Sequence, residues 1–249
     1  MTKIKTSQSK DFIYKKPLVS ICTITYNRYK FLNILKSHIL NQTYSKNLIE
    51  WVIIDDSTDR IIDNILDDNS IIIRHKKLNR KTSIGEKRNI AINYSKGEVI
   101  LFMDDDDYYP INRVSYAVDS LLSSKKLICG STYMPIFYLN ENELWMAGPY
   151  GENHATAATF AFKRELIKHT QFNNKKQLSE EKEFLKNYSI PLLQLDPFNT
   201  VICIAHKSNS FDKQQMKINP SKYNLKKMEK NNSNIQLINK LNRIYSDFK

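Results

Sequence analysis

Four consecutive aspartates, Asp104 to Asp107, directly follow an apolar run at residues 99–103. Adjacent carboxylates repel one another, and this repulsion raises the pKa of at least one of them unless a cation or hydrogen-bond donors stand nearby. The cluster is compatible with a solvated turn, with the nucleophile of an Asp-dependent phosphatase, or with a divalent-metal site. An EF-hand calcium loop is excluded, because such a loop has a glycine at its sixth position and a glutamate at its twelfth, and this segment has neither.

The residues around the cluster favour a metal site. The phosphatase motif needs Thr or Val two places after its second Asp, whereas Tyr108 stands there and three predicted strands come earlier. Carboxylate oxygens are ligands that Mg²⁺ and Mn²⁺ prefer, and phosphate oxygens can complete their octahedral shell. A metal here would cancel the carboxylate repulsion and neutralise the charge of a nucleotide diphosphate.

Polar side chains also follow two other predicted strands. The first strand runs into Thr25, Tyr26 and Arg28, and the second ends in Asp55 and Asp56. Strands that are nearly all apolar and alternate with helices are typical of a parallel sheet covered on both faces. In such sheets the ligand crevice lies at the carboxyl ends of the strands. We therefore predict an α/β fold, a mostly parallel central sheet flanked by helices, with a site where the three polar clusters meet.

Length and composition are those of a globular chain with one sizeable domain: 249 residues, 41% hydrophobic and 26% charged. We predict a polar lead-in at residues 1–16, a single domain at 17–210 and a basic helical tail at 211–249. The tail carries nine Lys and Arg against three acidic residues, which is half of the formal charge of +12. An apolar stripe on its predicted helix favours docking on the domain or homo-oligomerisation.

The cysteines and the hydropathy pattern suggest a location. Cys22, Cys129 and Cys203 are far apart and lack CxxC spacing, so we predict buried reduced thiols rather than a disulfide framework. Neither a signal-peptide pattern nor a run of about 18 apolar residues occurs in the sequence. We therefore expect a soluble, cytoplasmic protein.

Four segments taken together resemble a known family. They are VSICTITYNR, WVIIDDSTD, GEKRNIAI and GEVILFMDDDDYYP, which lie in this order between residues 17 and 110. They are similar to the motifs of family 2 glycosyltransferases with the GT-A (Rossmann-like) fold, and residues 111–210 match more loosely. The resemblance implies that 17–110 form the nucleotide-binding half and 111–210 the acceptor half.

The resemblance also implies roles for the residues that bind the nucleotide. Asp55 or Asp56 would bind the uracil of a UDP-sugar, and Asp104 would face its ribose. The full set of implied nucleotide-binding residues is Thr25, Tyr26, Arg28, Asp55, Asp56, Arg88, Asn89, Asp104 and Asp105.

Metal and catalytic roles follow in the same way. Asp104 to Asp106 would form the DxD motif, with Asp106 binding Mn²⁺ or Mg²⁺ and Asp107 supporting it. His206 would be a second metal ligand. The catalytic base would be Glu181 or its neighbour Glu180, with Glu181 favoured.

Further positions leave alternatives open. His154, in a loop that contains glycine, is a candidate for contact with donor or acceptor, or for a structural role. Glu180 and Glu181 are also compatible with the solvated first turn of a helix, where acids interact well with the helix dipole. His206 is equally compatible with a structural histidine at a strand end.

The sequence departs from the family pattern at three places. DDSTD lacks the glycine of the usual DDGSTD, glutamate replaces aspartate as the base, and the QxxRW motif of processive synthases is absent. Together with the lack of an apolar span, this predicts non-processive transfer of single sugars. The resemblance implies inversion by direct displacement, with a glycan, a protein or a small molecule as acceptor.

The sequence disfavours two other functions. A basic nucleic-acid-binding protein is disfavoured because acids gather at the predicted crevice and aromatic residues are not interleaved with the basic run; we expect no stable nucleic-acid complex. A sugar-nucleotidyltransferase is disfavoured because the first strand is not followed by a glycine-rich phosphate loop.

Overall fold

The computed structural model describes residues 15–58 and 63–249, and the statements below concern these residues. The predicted lead-in at 1–16 falls almost wholly outside them. The described part of the chain contains one central sheet, a smaller second sheet and helices on both faces of the first. The division of the chain at residues 110 and 210 stays a prediction.

The central sheet has seven strands in the order β3-β2-β1-β4-β8-β5-β9. β1 pairs in parallel with β2 and β4, β2 with β3, and β5 with β9, whereas β8 runs antiparallel to β4 and β5. The predicted α/β class with a mostly parallel sheet is thus confirmed. The strands are β1 (Val19–Thr25), β2 (Ile49–Asp55), β3 (Ile72–Lys77), β4 (Val99–Phe102), β5 (Ile128–Gly130), β8 (Ala161–Lys163) and β9 (Leu192–Gln194).

The two faces of this sheet bury separate apolar clusters. Alternate residues of β1 and β2, such as Ile21 and Trp51, pack with helices α1 (Tyr29–Leu40) and α4 (Arg113–Leu122) on one face. Their neighbours in the strands pack with α3 (Ile84–Tyr94) on the other. Both strands are buried on both sides, which explains their continuous apolar sequence.

Strand register sets the position of the site. In the parallel β1–β2 pair, Thr25 lies opposite Asp55, so both strands end at the same edge. On the other side of β1, Cys22 lies opposite Phe102, and the aspartates therefore begin just beyond this edge. The three polar clusters predicted to meet do start from neighbouring strand ends.

A second sheet lies beyond the first, with strands in the order β10-β6-β7-β11. They are β6 (Met134–Tyr138), β7 (Glu143–Ala147), β10 (Cys203–Ala205) and β11 (Lys226–Lys227). Residues 211–249, the C-terminal segment, contribute β11, α6 (Gln214–Ile218) and α7 (Asn232–Ile244). The apolar side of α7 packs inside the chain, where Leu241 is fully buried among residues of this second sheet.

The sequence predicts a short helix around Ile61–Leu66 and another near Ser179–Asn187. Of the first, Asp63–Leu66 is helical (α2), and residues 61 and 62 lie outside the described residues. The second is shorter than predicted: α5 (Glu181–Phe184) ends early, because Lys186, Asn187 and Tyr188 adopt left-handed backbone angles with φ of 49°, 54° and 62°. None of the helices in the described residues is long and apolar enough to cross a membrane; the cytoplasmic location stays a prediction.

Candidate active site

The four aspartates, here called the aspartate loop (residues 104–107), do not share one environment. Cations and hydrogen-bond donors from several other parts of the chain contact the four carboxylates and offset their mutual repulsion. Asp104 pairs with Arg88, whose Nη2 lies 3.2 Å from its Oδ1. Asp107 accepts a hydrogen bond from the backbone N–H of Ile204 in β10 at 3.0 Å.

Arg28 binds the middle two aspartates together. Its Nη1 lies 3.0 Å from Oδ1 of Asp105 and 2.8 Å from Oδ2 of Asp106. Thr25 also donates to Asp105, at 2.7 Å. Burial and the charge of Asp106 still raise the pKa of Asp105. Asp106 has the opposite shift: burial alone would raise its pKa, but the hydrogen bond with His206 and the charge of Arg28 hold it below the usual range.

Asp106 and His206 are the residues that fit a divalent cation. His206 Nε2 lies 3.1 Å from Oδ2 of Asp106, and Asn209 donates to the same oxygen at 3.1 Å. Nδ1 of His206 accepts a hydrogen bond from the N–H of Ser208, which orients the ring with Nε2 towards Asp106. Neighbouring carboxylate and imidazole donors suit Mn²⁺ or Mg²⁺, with phosphate oxygens and water as further ligands. Among the described residues, no group of three or more such side chains is placed to hold a metal alone.

The aspartates at the end of β2 lie below the surface of the cleft. Asp56 pairs with Lys87 at 2.7 Å and accepts a hydrogen bond from Thr82 N–H at 2.7 Å. Asp55 is 1% exposed. Burial alone would raise its pKa, but hydrogen bonds from His75 and Ser57 outweigh burial and hold the pKa of Asp55 below its usual range. Neither carboxylate lines the cleft in the structure.

Arg88 links the aspartate loop to the predicted catalytic pair. Its Nε donates to Glu180 at 2.8 Å while its Nη2 contacts Asp104, and the guanidinium is almost fully buried. The next residue, Asn89, does not line the cleft. Its side-chain amide donates a hydrogen bond to the carbonyl of Phe172 and accepts one from the N–H of the same residue. The adjacent residues of the GEKRN motif therefore have different surroundings.

Glu181 differs from Glu180 in having no cation bound to it in the described part of the chain. It lines the cleft on the α5 side. Burial and the neighbouring charge of Glu180 raise the pKa of Glu181 to about 7. A carboxylate of this pKa is ionised in a large fraction of molecules near neutral pH and still accepts protons well, which are the properties of a general base. Glu180, in contrast, is held by Arg88.

These side chains surround one cleft of about 1030 Å³. The predicted residues that line it are Thr25, Tyr26, Arg28, Arg88, Asp104, Asp105, Asp106, Asp107, His154, Glu180 and Glu181. His206 reaches the site through Asp106, whereas Asp55, Asp56 and Asn89 stand behind the wall.

Several residues of the site were missed in the sequence. Lys81 and Lys87 both line the cleft, and Nζ of Lys81 lies 3.6 Å from the centre of the Tyr26 ring. In the sequence, Lys87 belongs to the segment GEKRNIAI and Lys81 stands shortly before it. Asn209 lies just before the C-terminal segment, and Lys213 lies at its beginning. Only tertiary packing brings these two residues to the aspartate loop. Asn209 could have been predicted, because polar residues follow the predicted strand that ends near His206.

Comparison with known proteins places this arrangement in a family. The model described as "Glycosyl transferase family 2" matches residues 20–180. TarS of Staphylococcus aureus (strain Mu50), a poly(ribitol-phosphate) beta-N-acetylglucosaminyltransferase, is 33% identical over 99 residues, which are 36% of this chain and 16% of TarS. WfaP of Escherichia coli, a UDP-Glc:alpha-D-GlcNAc-diphosphoundecaprenol beta-1,3-glucosyltransferase, is 34% identical over 120 residues, covering 47% of this chain and 46% of WfaP. The chain thus spans less than half the length of these relatives.

Solved structures have the same fold. The crystal structure of S. aureus TarS 1–349 in complex with UDP has a TM-score of 0.61 at 20% identity, and covers 76% of this chain and 60% of that one. The mannosyltransferase PcManGT from Pyrobaculum calidifontis, in complex with GDP-Man and Mn²⁺, has a TM-score of 0.62 at 16% identity, covering 79% and 59%. These likenesses confirm the predicted GT-A fold class. Since the family model matches well over half of its residues, the chain belongs to glycosyl transferase family 2.

Proposed function

We propose that the protein is a metal-dependent glycosyltransferase that moves one sugar from a nucleotide sugar, a UDP-sugar by preference, to an acceptor hydroxyl with inversion. The observation that carries the proposal is the division of the cleft. Asp106, His206 and Arg28 gather at one place, and Glu181, with its raised pKa, lies on the α5 side without a bound cation.

The donor would lie over the carboxyl ends of β1 and β4. Thr25, Tyr26 and Arg28 border that part of the cleft, and the cations Lys81 and Lys87 stand beside it. The two solved relatives above hold UDP in one case and GDP-Man with Mn²⁺ in the other. The preference for a UDP-sugar rests on the likeness to WfaP, a UDP-Glc:alpha-D-GlcNAc-diphosphoundecaprenol beta-1,3-glucosyltransferase, and to TarS, whose crystal structure is in complex with UDP.

The reaction is a direct displacement at the anomeric carbon. The bond from the acceptor oxygen to this carbon forms as the bond to the diphosphate oxygen breaks, which inverts the configuration. Glu181 takes the proton of the acceptor hydroxyl, and the nucleoside diphosphate leaves as an anion. Arg28 places a positive charge where the diphosphate charge grows. Asp106 and His206 would hold a Mn²⁺ or Mg²⁺ ion, which would supply further charge neutralisation.

The ion pairs of Arg88 have a positioning role in this scheme. Arg88 holds Glu180 and Asp104 at the same time, so it fixes α5 relative to the aspartate loop. Because Glu180 is neutralised in this way, its neighbour Glu181 is the carboxylate left to act on the acceptor. Its placement would set the distance between the base and the donor sugar.

The proposal is tested by thermal unfolding with UDP, UDP-glucose, UDP-GlcNAc and GDP-mannose, each with and without Mn²⁺. A ligand at 100 times its dissociation constant adds about 2.7 kcal/mol to the free energy of unfolding. For a chain of this size that raises the Tm by about 5 to 10 °C. We expect the shift with a uridine nucleotide, only in the presence of the metal.

Asp106→Ala should lose the metal-dependent shift, whereas Asp119→Asn, on the exposed side of α4, should keep it. Transfer of the stabilising sugar is then measured by mass spectrometry of added acceptors. No shift with any nucleotide in the wild-type protein would overturn the proposal.

A further inference from the structure

The cleft extends past the aspartate loop to residues outside the segments assigned to the donor. The second sheet and the C-terminal segment build this part, here called the distal wall. Its lining residues at the far end are Met134, Tyr150, Phe211, Lys222 and Tyr223. Most of them lie beyond residue 180, where the match to the family model ends.

A row of rings connects the distal wall to the proposed base. The ring centres of Tyr150 and His154 lie 4.9 Å apart, and those of His154 and Tyr188 lie 4.6 Å apart. Tyr188 and Glu181 both line the cleft, and burial together with the charge of Glu181 raises the pKa of Tyr188. Aromatic faces pack well against the apolar C–H face of a sugar ring.

Two polar atoms of the same wall lack a hydrogen-bond partner within the described part of the chain. They are Nδ1 of His154 and Oγ1 of Thr156, both buried and both from residues that line the cleft. A buried polar atom without a partner is costly, so such atoms usually bond to water or a ligand. Sugar hydroxyl groups both donate and accept hydrogen bonds, and they match these two atoms.

One lysine gives the far end its charge. Lys222 lines it, is exposed, lies 5.4 Å from the centre of the Tyr223 ring and forms no ion pair with a carboxylate among the described residues. Lys213 lies instead beside Asp106 and Asp107, so its charge is already balanced by the aspartate loop. An ammonium group without a carboxylate partner can form a charge-assisted hydrogen bond with an anionic group of a ligand.

Backbone contacts hold this end in shape. Gly148 N–H donates to the carbonyl of Tyr223 at 3.1 Å, and the Asn224 amide donates to the carbonyl of Pro149 at 2.9 Å. Gly148 has φ of 95°, and a Cβ there would lie 2.3 Å from the Thr132 carbonyl oxygen. The turn that carries Tyr150 is therefore joined to the lysine-bearing loop, so the wall is formed before a ligand arrives.

We propose that the distal wall is the acceptor subsite and that it takes a sugar unit bearing a phosphate or a carboxylate. The proposal rests on the glycosyltransfer function proposed above. The acceptor hydroxyl meets Glu181, the sugar ring packs along Tyr188, His154 and Tyr150, and the anionic group reaches Lys222.

The test uses the full chain saturated with UDP and Mg²⁺, titrated with glucose, glucose 6-phosphate, glucuronate and inorganic phosphate and observed by saturation-transfer NMR. We expect glucose 6-phosphate or glucuronate to bind about tenfold tighter than glucose, the effect of one charged hydrogen bond. The tighter of the two anions identifies the charged group. Lys222→Gln should reduce this preference and Lys222→Glu should remove it, while Lys125→Gln, an exposed lysine outside the cleft, should leave it intact.

The outcomes separate the two proposals. A wild-type protein that binds neither the uridine nucleotides nor GDP-mannose contradicts the glycosyltransfer function itself. UDP binding together with equal affinity for glucose and both anions, or with no effect of the Lys222 variants, overturns the acceptor subsite alone. Displacement of UDP by inorganic phosphate that depends on Lys222 also overturns it, because the lysine would then belong to the diphosphate site.

Discussion

Charged side chains have different surroundings in the aspartate loop and in the C-terminal segment. In the aspartate loop, carboxylates of low exposure have particular partners, which come from the residues after β1, from α3 and from β10. In the C-terminal segment, Lys217 and Lys227 pair with Glu143 near the surface, and α7 packs through apolar side chains. Buried charge is costly unless it is paired, and the aspartate loop gathers several such pairs in one cleft. We infer that the first region carries the reaction and the second mainly supports it.

The largest expected effect tests the reactive side of this comparison. Glu181→Gln removes the base and should lower kcat by about 10³-fold, within the range for general base catalysis. In the wild-type protein, kcat/KM should rise as the pH rises through about 7, because Glu181 must lose its proton to act.

Steady-state release of nucleoside diphosphate between pH 5.5 and 9 measures both effects. Glu183→Gln is the matched control: this exposed residue of the same helix pairs with Lys176 and lies outside the cleft lining. A rise with the same apparent pKa in Glu181→Gln would assign the base to another residue.

The supporting side is tested by a core substitution in α7. Leu241 is fully buried, so Leu241→Ala should lower the free energy of unfolding by about 2 to 5 kcal/mol. Ile235→Ala, in the same helix but 42% exposed, should cost much less. Urea unfolding measures the change. Nucleotide affinity of the folded protein should stay within about twofold of wild type; a large loss would mean that the C-terminal segment takes part in donor binding.

A smaller effect is expected where the two regions touch. The ring of Phe248 stacks on Phe31 at 3.9 Å, and Phe31 stacks on His206 at 4.6 Å. Phe248→Ala should free the imidazole and weaken Mn²⁺ binding by about tenfold, as with other residues that orient metal ligands.

Electron paramagnetic resonance of free Mn²⁺ in the presence of UDP measures this affinity. Phe248→Leu retains an apolar contact with Phe31 and should therefore recover part of the Mn²⁺ affinity. Unchanged Mn²⁺ affinity in Phe248→Ala would show that the stack supports the fold only, and would sharpen the separation of the two regions.

The aspartate loop was more predictable from the sequence than its surroundings. β1, β2 and β4 are short apolar runs that end in polar residues, and parallel pairing brings such ends together whatever the rest of the chain does. This placed Thr25, Arg28 and the aspartates correctly around one cleft. The same rule placed Asp55 only approximately, because it cannot tell a carboxylate that faces the cleft from one paired below it.

The rest depends on long-range packing. Residues Lys186 to Tyr188 take left-handed backbone angles without a glycine, so a regular helix was expected and the row of rings was missed. Lys213 approaches Asp107 because α6 packs beside β10, and neither contact leaves a local pattern. The apolar stripe of α7 was recognised, but only the structure reveals that it packs against β6 and β10 of the same chain.

The smallest expected effect concerns the ion pairs of the second sheet. Glu143 contacts Lys227 and, at 2.9 Å, Lys217, and these hydrogen bonds lower the pKa of Glu143 to about 2. A lowered carboxylate pKa adds stability above the pKa of the unfolded chain, and this stability is lost as the pH falls from about 4.5 towards 2. Since the pair is partly exposed, Glu143→Gln should cost at most about 1 kcal/mol at pH 7. Urea midpoints of both proteins should differ slightly at pH 7, less in 1 M NaCl, and converge near pH 2. A cost several times larger, insensitive to salt, would place a buried charge in the C-terminal region and remove the contrast between the two regions.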